Sequence, residues 1–204
     1  MESYFQILKV NLKFNLIPHV LIAFLLVLAA PFIMGLENLN PIQVAQTLEV
    51  YTSLLGIILM VPLFTPDQDR NIRDLIKSKK EPMIKIHLMR IVEALFFLSI
   101  IVRLFLLNLK YGQSEFPFGK YFYGTMANCI FLGGLGVIIF SIIDHLAVSY
   151  MVPILYYILN YGSGEKLGMF NMFSMMRGSF IEKNYLFSVG VLFILAAIVY
   201  RHKK

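Results

Sequence analysis

The sequence predicts an all-α polytopic membrane protein with about six transmembrane helices. Three observations carry that reading. Hydrophobic residues make up 58% of the 204, against 15% charged, and the mean hydropathy is +0.73, too apolar for an ordinary water-soluble domain. The apolar residues fall in continuous runs rather than in the period-two alternation of barrel strands, and inside a bilayer only helices or closed barrels satisfy the backbone. The basic residues, finally, collect between the runs, where they report topology rather than a nucleic-acid-binding face. A span needs roughly 20 apolar residues, so the length is used up by one transmembrane domain over residues 1–204.

Residues 1–15 come first. Leu8, Val10, Leu12, Phe14 and Leu16 alternate with polar residues as in a strand, yet Phe5, Leu8, Leu12 and Leu16 also share one helical face, with Gln6, Lys9 and Lys13 opposite. In a membrane protein the second pattern describes an interfacial helix. Lys9 and Lys13 before LIAFLLVLAA superficially resemble a secretory signal. The recurrence of apolar runs to the C-terminus and the long charged leader make it an uncleaved first span instead.

Spans are expected near Leu16 to Leu36, Leu48 to Leu63, Leu88 to Leu109, Tyr121 to Ile143, Leu146 to Leu159 and Tyr185 to Tyr200. The fifth is short for a straight crossing, which suggests a broken or re-entrant element. The second connection carries Arg70, Arg73, Lys77, Lys79, Lys80, Lys85 and Arg90, and so is assigned to the cytoplasm. Alternation then places both termini inside, with Lys9, Lys13, Arg201, Lys203 and Lys204. Lys110, Lys120, Lys166, Arg177 and Lys183 fall in outer segments, and Arg103 within a span. Residues 160–184, rich in Gly, Met and Phe but punctuated by charge, read as an outer loop or re-entrant segment with adaptable apolar surface.

The cytoplasmic loop, residues 66–87, is more organised than a connector requires. Pro66 ends the second span, Asp67 or Asp69 can cap a new helix, and DRNIRDLIKS follows with acid early and base late, as the helix dipole favours. Ile72, Leu75 and Ile76, at i, i+3 and i+4, form an apolar ridge flanked by Arg73, Asp74 and Lys77. Pro82 then interrupts before MIKIHLMRIVEALFF enters the third span.

This succession of proline and acid, short Ile/Leu-bearing helix, basic turn with proline and basic opening of a span resembles the first cytoplasmic loop of ABC-2 type permeases. These are the membrane subunits of bacterial ATP-binding-cassette transporters. The resemblance covers this loop and the hydropathy plan, including the amphipathic N-terminal segment and the short fifth span. It implies a coupling helix at residues 69–78, formed by Asp69, Arg70, Ile72, Arg73, Asp74, Leu75, Ile76 and Lys77 and seated in a groove of a separate cytosolic ATPase. It also implies a second permease copy, identical or related, ATP and Mg held on the ATPase rather than on this chain, and a multi-pass position in a bacterial plasma membrane. Asp67 and Asp69 stand where members often carry Glu, and the outer loops are short, which argues against subfamilies with large outer domains.

Among the remaining polar residues, Arg103 is a candidate for the translocation path or for snorkelling to the outer surface. Glu93, one turn from Arg90, is expected to pair with it. Asp144 and His145 form a tight inner turn and are a candidate second contact with the ATPase. Gly133, Gly134 and Gly136 allow close helix approach, and Pro18, Pro31, Pro62 and Pro153 kink or end spans. The single cysteine, Cys129, has no internal disulfide partner. Neither HExxH, GxSxG nor a Walker A sequence occurs, and His19, His87, His145 and His202 lack metal-ligand spacing. The expectation is therefore a non-enzymatic, metal-free permease subunit, an exporter of a hydrophobic or amphipathic substrate such as a peptide or antimicrobial. The alternative is an ATP-independent membrane scaffold or an immunity or assembly protein.

Overall fold

Because no water is available in a bilayer core, each buried backbone group must find its partner within the protein, and the chain meets this demand with helices. The computed structural model describes residues 9–68 and 83–203. Among them all regular structure is helical. Five helices are long and apolar enough to cross a membrane: α1, Lys9–Met34; α2, Pro41–Gln68; α3, Met83–Tyr111; α4, Phe118–Ile143; and the last, α6, Ile181–His202. Between the last two lies α5, Leu146–Ser163, an 18-residue helix interrupted by Pro153. It corresponds to the short fifth run but is not among the five. By helical rise it spans only about 27 Å, less than a hydrocarbon core of roughly 30 Å.

Local sequence explains the boundaries. The second span reaches well beyond the expected Leu48 to Leu63 because NPIQ is a helix start. Asn40 accepts from the Gln43 backbone amide at 2.9 Å, the Gln43 side chain accepts from that of Asn40 at 3.0 Å, and Pro41 takes the first turn. The helix then loosens at Tyr51 into a 3-10 turn, Thr52–Leu54, and beyond Met60 it continues as 3-10 helix over Val61–Gln68. Pro62 and Pro66 account for the second change, since neither can donate to the helical ladder. Carbonyls around the first break are served from outside: Tyr157 Oη donates to Val50 O at 2.6 Å and Cys129 Sγ to Thr52 O at 3.5 Å. The cysteine therefore serves the irregular backbone.

At the start of the chain, Lys9 already belongs to α1, with a π-helical turn at Leu12–Leu16. Residues 9–15 thus run continuously into the first span, and the rest of the expected interfacial segment, residues 1–8, lies outside the described residues. Pro31 falls inside this helix, which closes at Gly35 in positive φ (62°).

Contacts at the two ends fix the direction of every helix. Asn11 meets Glu93, Asp67 meets Arg90, Gln68 meets Asp144, and Asp144 meets Arg201 at one end. The Asn38 amide donates to Gly112 O at 2.7 Å, the Leu39 amide to Ser114 Oγ at 3.2 Å and Tyr121 Oη to Pro41 O at 3.0 Å at the other. Residues 9 and 203 therefore lie at the same end, as do both sides of the 69–82 connection. We call this the terminal end. It follows that α2, α4 and α6 run parallel to one another, and α1, α3 and α5 run against them.

The centre of the bundle is α4, which packs on α2, α5 and most extensively on α6. Glycine makes the closest approaches. A Cβ on Gly190 would lie 2.8 Å from Phe131 Cα and N, and one on Gly134 would lie 2.6 Å from Gly190 O. Without a hydrophobic force between helices in lipid, this backbone proximity is what adheres α4 to α6. Gly190→Ala is expected to lower stability by about 1–3 kcal/mol through overpacking. Its unfolding midpoint in detergent checks this, and a midpoint equal to that of the parent chain would contradict the contact. By contrast α1 turns most of its surface outward, with Phe32 at 92% exposure and Phe14 at 70%, as a lipid-facing helix does.

Candidate functional site

Charged side chains buried between membrane helices need a partner and commonly mark function. Among the described residues they gather in two networks, one at the terminal end and one deep in the opposite half of the bundle.

The terminal-end network closes the 69–82 connection on both sides. Asp67, fully buried near the end of α2, accepts from Arg90 Nη1 at 2.9 Å on both carboxylate oxygens, and its Oδ2 lies 3.0 Å from His87 Nε2. His87 and Arg90 sit one turn apart on α3, so both reach the same carboxylate. Arg90 also approaches Leu63 O at 3.4 Å, a carbonyl in the proline-containing 3-10 stretch. Phe64 covers the site, its ring centroid 4.7 Å from that of His87. Asp67 or Asp69 was offered as the cap of a helix that lies outside the described residues, and Arg90 was expected to pair with Glu93. Instead Arg90 turns inward, because an enclosed carboxylate needs its charge more than the half-exposed Glu93 does, and Glu93 accepts from Asn11 Nδ2 at 2.7 Å.

Gln68 extends the network sideways, donating from Nε2 to Asp144 O at 2.8 Å. Asp144 closes α4 in the left-handed conformation (φ 58°), and its carboxylate pairs with Arg201 of α6. The guanidinium of Arg201 also lies over Phe140, 5.4 Å from the ring centroid. Of the expected second inner contact, then, Asp144 is tied into the bundle, whereas the His145 side chain is exposed and its carbonyl accepts from Ser149. The candidate coupling residues Asp69, Arg70, Ile72, Arg73, Asp74, Leu75, Ile76 and Lys77 lie outside the described residues.

The second network was not foreseen. Lys183, assigned from sequence to an outer segment, is fully buried in the first turn of α6. Its Nζ donates to Glu49 Oε1 at 2.6 Å, to Asn128 Oδ1 at 2.9 Å and to the Met172 carbonyl. Glu49, equally buried, further accepts the backbone amides of Met175 at 2.8 Å and Met176 at 3.1 Å. Asn128 completes the set, donating to Ser53 Oγ at 3.1 Å and to Met172 O at 3.0 Å. Glu49 lies eight residues below Pro41 and Asn128 ten below Phe118, so the pair sits about 12–15 Å from the helix starts. That depth lies well within the candidate spans Pro41–Gln68 and Phe118–Ile143, where a buried charge without its partner is costly.

What this network holds is the stretch after α5. Asn171 through Met175 are buried, a short 3-10 turn covers Met175–Arg177, and Phe180 and Met175 pack against Gly124 of α4. The Met/Phe-rich segment therefore dips between α2, α4 and α6. From the other side Asn160 of α5 donates to Phe170 O at 2.8 Å and accepts from the Met172 amide at 2.9 Å, while Tyr156 Oη donates to Phe170 O at 2.7 Å. The sequence signal was present in Glu49, an acid within the apolar run Leu48 to Leu63, but its partner looked like an ordinary loop lysine.

Arg103, the candidate for the translocation path, is exposed on α3, and its guanidinium lies over Phe122, 5.1 Å from the ring centroid. Tyr111 at the end of that helix is eight residues away, about 12 Å. Among the described residues no group of three or more His, Cys, Asp or Glu side chains converges as metal ligands. No family model, curated protein or solved structure matches the chain.

Proposed function

We propose that this chain is the transmembrane permease subunit of an ABC-2 type ATP-binding-cassette transporter. On this reading it sits in a bacterial plasma membrane with the terminal end facing the cytoplasm, pairs with a second permease copy and exports a hydrophobic or amphipathic substrate such as a peptide or antimicrobial. A separate cytosolic ATPase holds ATP and Mg and seats residues 69–78 as a coupling helix. The observation that best supports the reading is the buried Asp67–Arg90 pair at 2.9 Å, which clasps the two flanks of the 69–82 connection. A push on that connection is then borne by α2 and α3 together, and through Gln68, Asp144 and Arg201 by α4 and α6.

Co-purification tests the proposal. The chain expressed with ATPases encoded by its own host should retain one of them, and Arg73→Glu with Lys77→Glu should weaken that association about tenfold or more, since charge reversal at an interface costs several kcal/mol. Absence of any associated ATPase, together with function unaffected by both reversals, would sink the reading in favour of an ATP-independent membrane scaffold.

A further inference from the structure

We infer that the Glu49–Lys183 pair is a latch that holds the 169–177 segment docked inside the bundle, and that releasing the latch frees this segment as a hinged unit while the helices stay packed. This stands whether or not an ATPase is the partner.

Three observations carry it. The first is how the segment is held. Its inserted backbone has little helical ladder of its own, and side chains of other elements take its place: Glu49 for the Met175 and Met176 amides, Lys183 and Asn128 for Met172 O, and Asn160 for the Met172 amide and Phe170 O. Irregular backbone at membrane depth survives only when so served. Removing Glu49 withdraws partners from two adjacent amides at once, which a point change in a regular helix never does.

The second is the pair of glycines at the boundaries. Gly168 has φ 52° and ψ −116°, and Gly178 has φ 78° and ψ 4°. At neither would an added Cβ meet anything within 4 Å. Packing therefore does not require these glycines. The backbone conformation does, and that is where a chain turns into and out of an inserted stretch.

The third is what the segment leaves behind. Contacts between α4 and α6 through Gly134 and Gly190, and between α2 and α4 through Gly56 and Cys129, lie toward the terminal end from Lys183 and do not involve the segment. Undocking would thus expose a polar floor of Glu49, Lys183, Asn128 and Ser53 without separating the helices.

The test is accessibility. In a Cys129→Ala background, cysteine is introduced at Ser174, which is buried and whose Oγ lacks a partner, and separately at Ser141, buried at the far end of α4. Membrane vesicles of mixed orientation are treated with a membrane-impermeant maleimide. Ser174→Cys should be protected with Glu49 and Lys183 intact, should label about a hundredfold faster with Glu49→Met, which frees both segment amides, and should label faster to a smaller extent with Lys183→Met, in which Glu49 still accepts those amides. Ser141→Cys should stay protected throughout. Continued protection of position 174 in both variants would overturn the latch. So would equal labelling at 174 and 141, which would mean that the pair holds the whole bundle.

Discussion

Arg90→Met should lower stability by about 3–5 kcal/mol, because it strands the Asp67 carboxylate in a site closed to water. Asp67 is fully buried, and among the described residues the Arg90 guanidinium and the His87 ring bond to it. With Arg90 gone, the His87 ring remains among the described partners, its Nε2 3.0 Å away. Equilibrium unfolding in mixed detergent micelles measures the loss. Asp67→Asn in the Arg90→Met background should recover a large part of it by removing the stranded charge, leaving an amide that still bonds to the His87 ring. Failure of that recovery would mean that Arg90 acts through the Leu63 carbonyl and aliphatic packing rather than through the ion pair. Glu93→Gln supplies the contrast, since its contact with Asn11 is half-exposed and its loss should cost no more than about 1 kcal/mol.

The unequal costs explain what could be read from the sequence. Spans were legible because their signal is additive: each apolar residue in Leu88 to Leu109 or Tyr121 to Ile143 argues for the same thing, and the helices Met83–Tyr111 and Phe118–Ile143 enclose both runs. Which charges meet is not additive. Arg90 has Glu93 one turn away and Asp67 across a connection, and helical spacing alone favours the nearer. The choice is decided by burial, which depends on α2 and α3 lying side by side. Lys183 failed for a related reason. It precedes the apolar run that begins at Tyr185, so hydropathy assigns it to a loop. The fold buries it because α6 starts at Ile181, deeper than α4 by about one turn, and an inserted segment fills the level above it. The capping box at Asn40 and Gln43, by contrast, was written locally in NPIQ and could have extended the second span without any structure.

The same burial orders the two partners of the deeper pair. Lys183→Met leaves Glu49 charged, but two backbone amides still donate to it, and hydrogen bonds from amides are the next best solvation for a carboxylate after a counter-ion. Glu49→Met leaves the Lys183 ammonium, among the described residues, with hydrogen bonds to Asn128 Oδ1 and the Met172 carbonyl and with the neighbouring Glu182 carboxylate unbonded to it, and it also orphans the Met175 and Met176 amides. Each orphaned buried donor carries a penalty of about 1–3 kcal/mol. Glu49→Met should therefore be the more damaging change, by roughly 2–6 kcal/mol for the two amides beyond the 3–5 kcal/mol expected for Lys183→Met. The double variant should recover the part of the Glu49→Met loss that comes from the stranded ammonium and keep the part that comes from the two orphaned amides, about 2–6 kcal/mol. A double-mutant cycle read by unfolding in detergent separates this from a simple ion pair, in which two methionines would restore most of the lost stability. The asymmetry follows from Glu49 binding both a lysine and a stretch of main chain, so that the carboxylate is the structural centre of the network and the lysine its counter-charge.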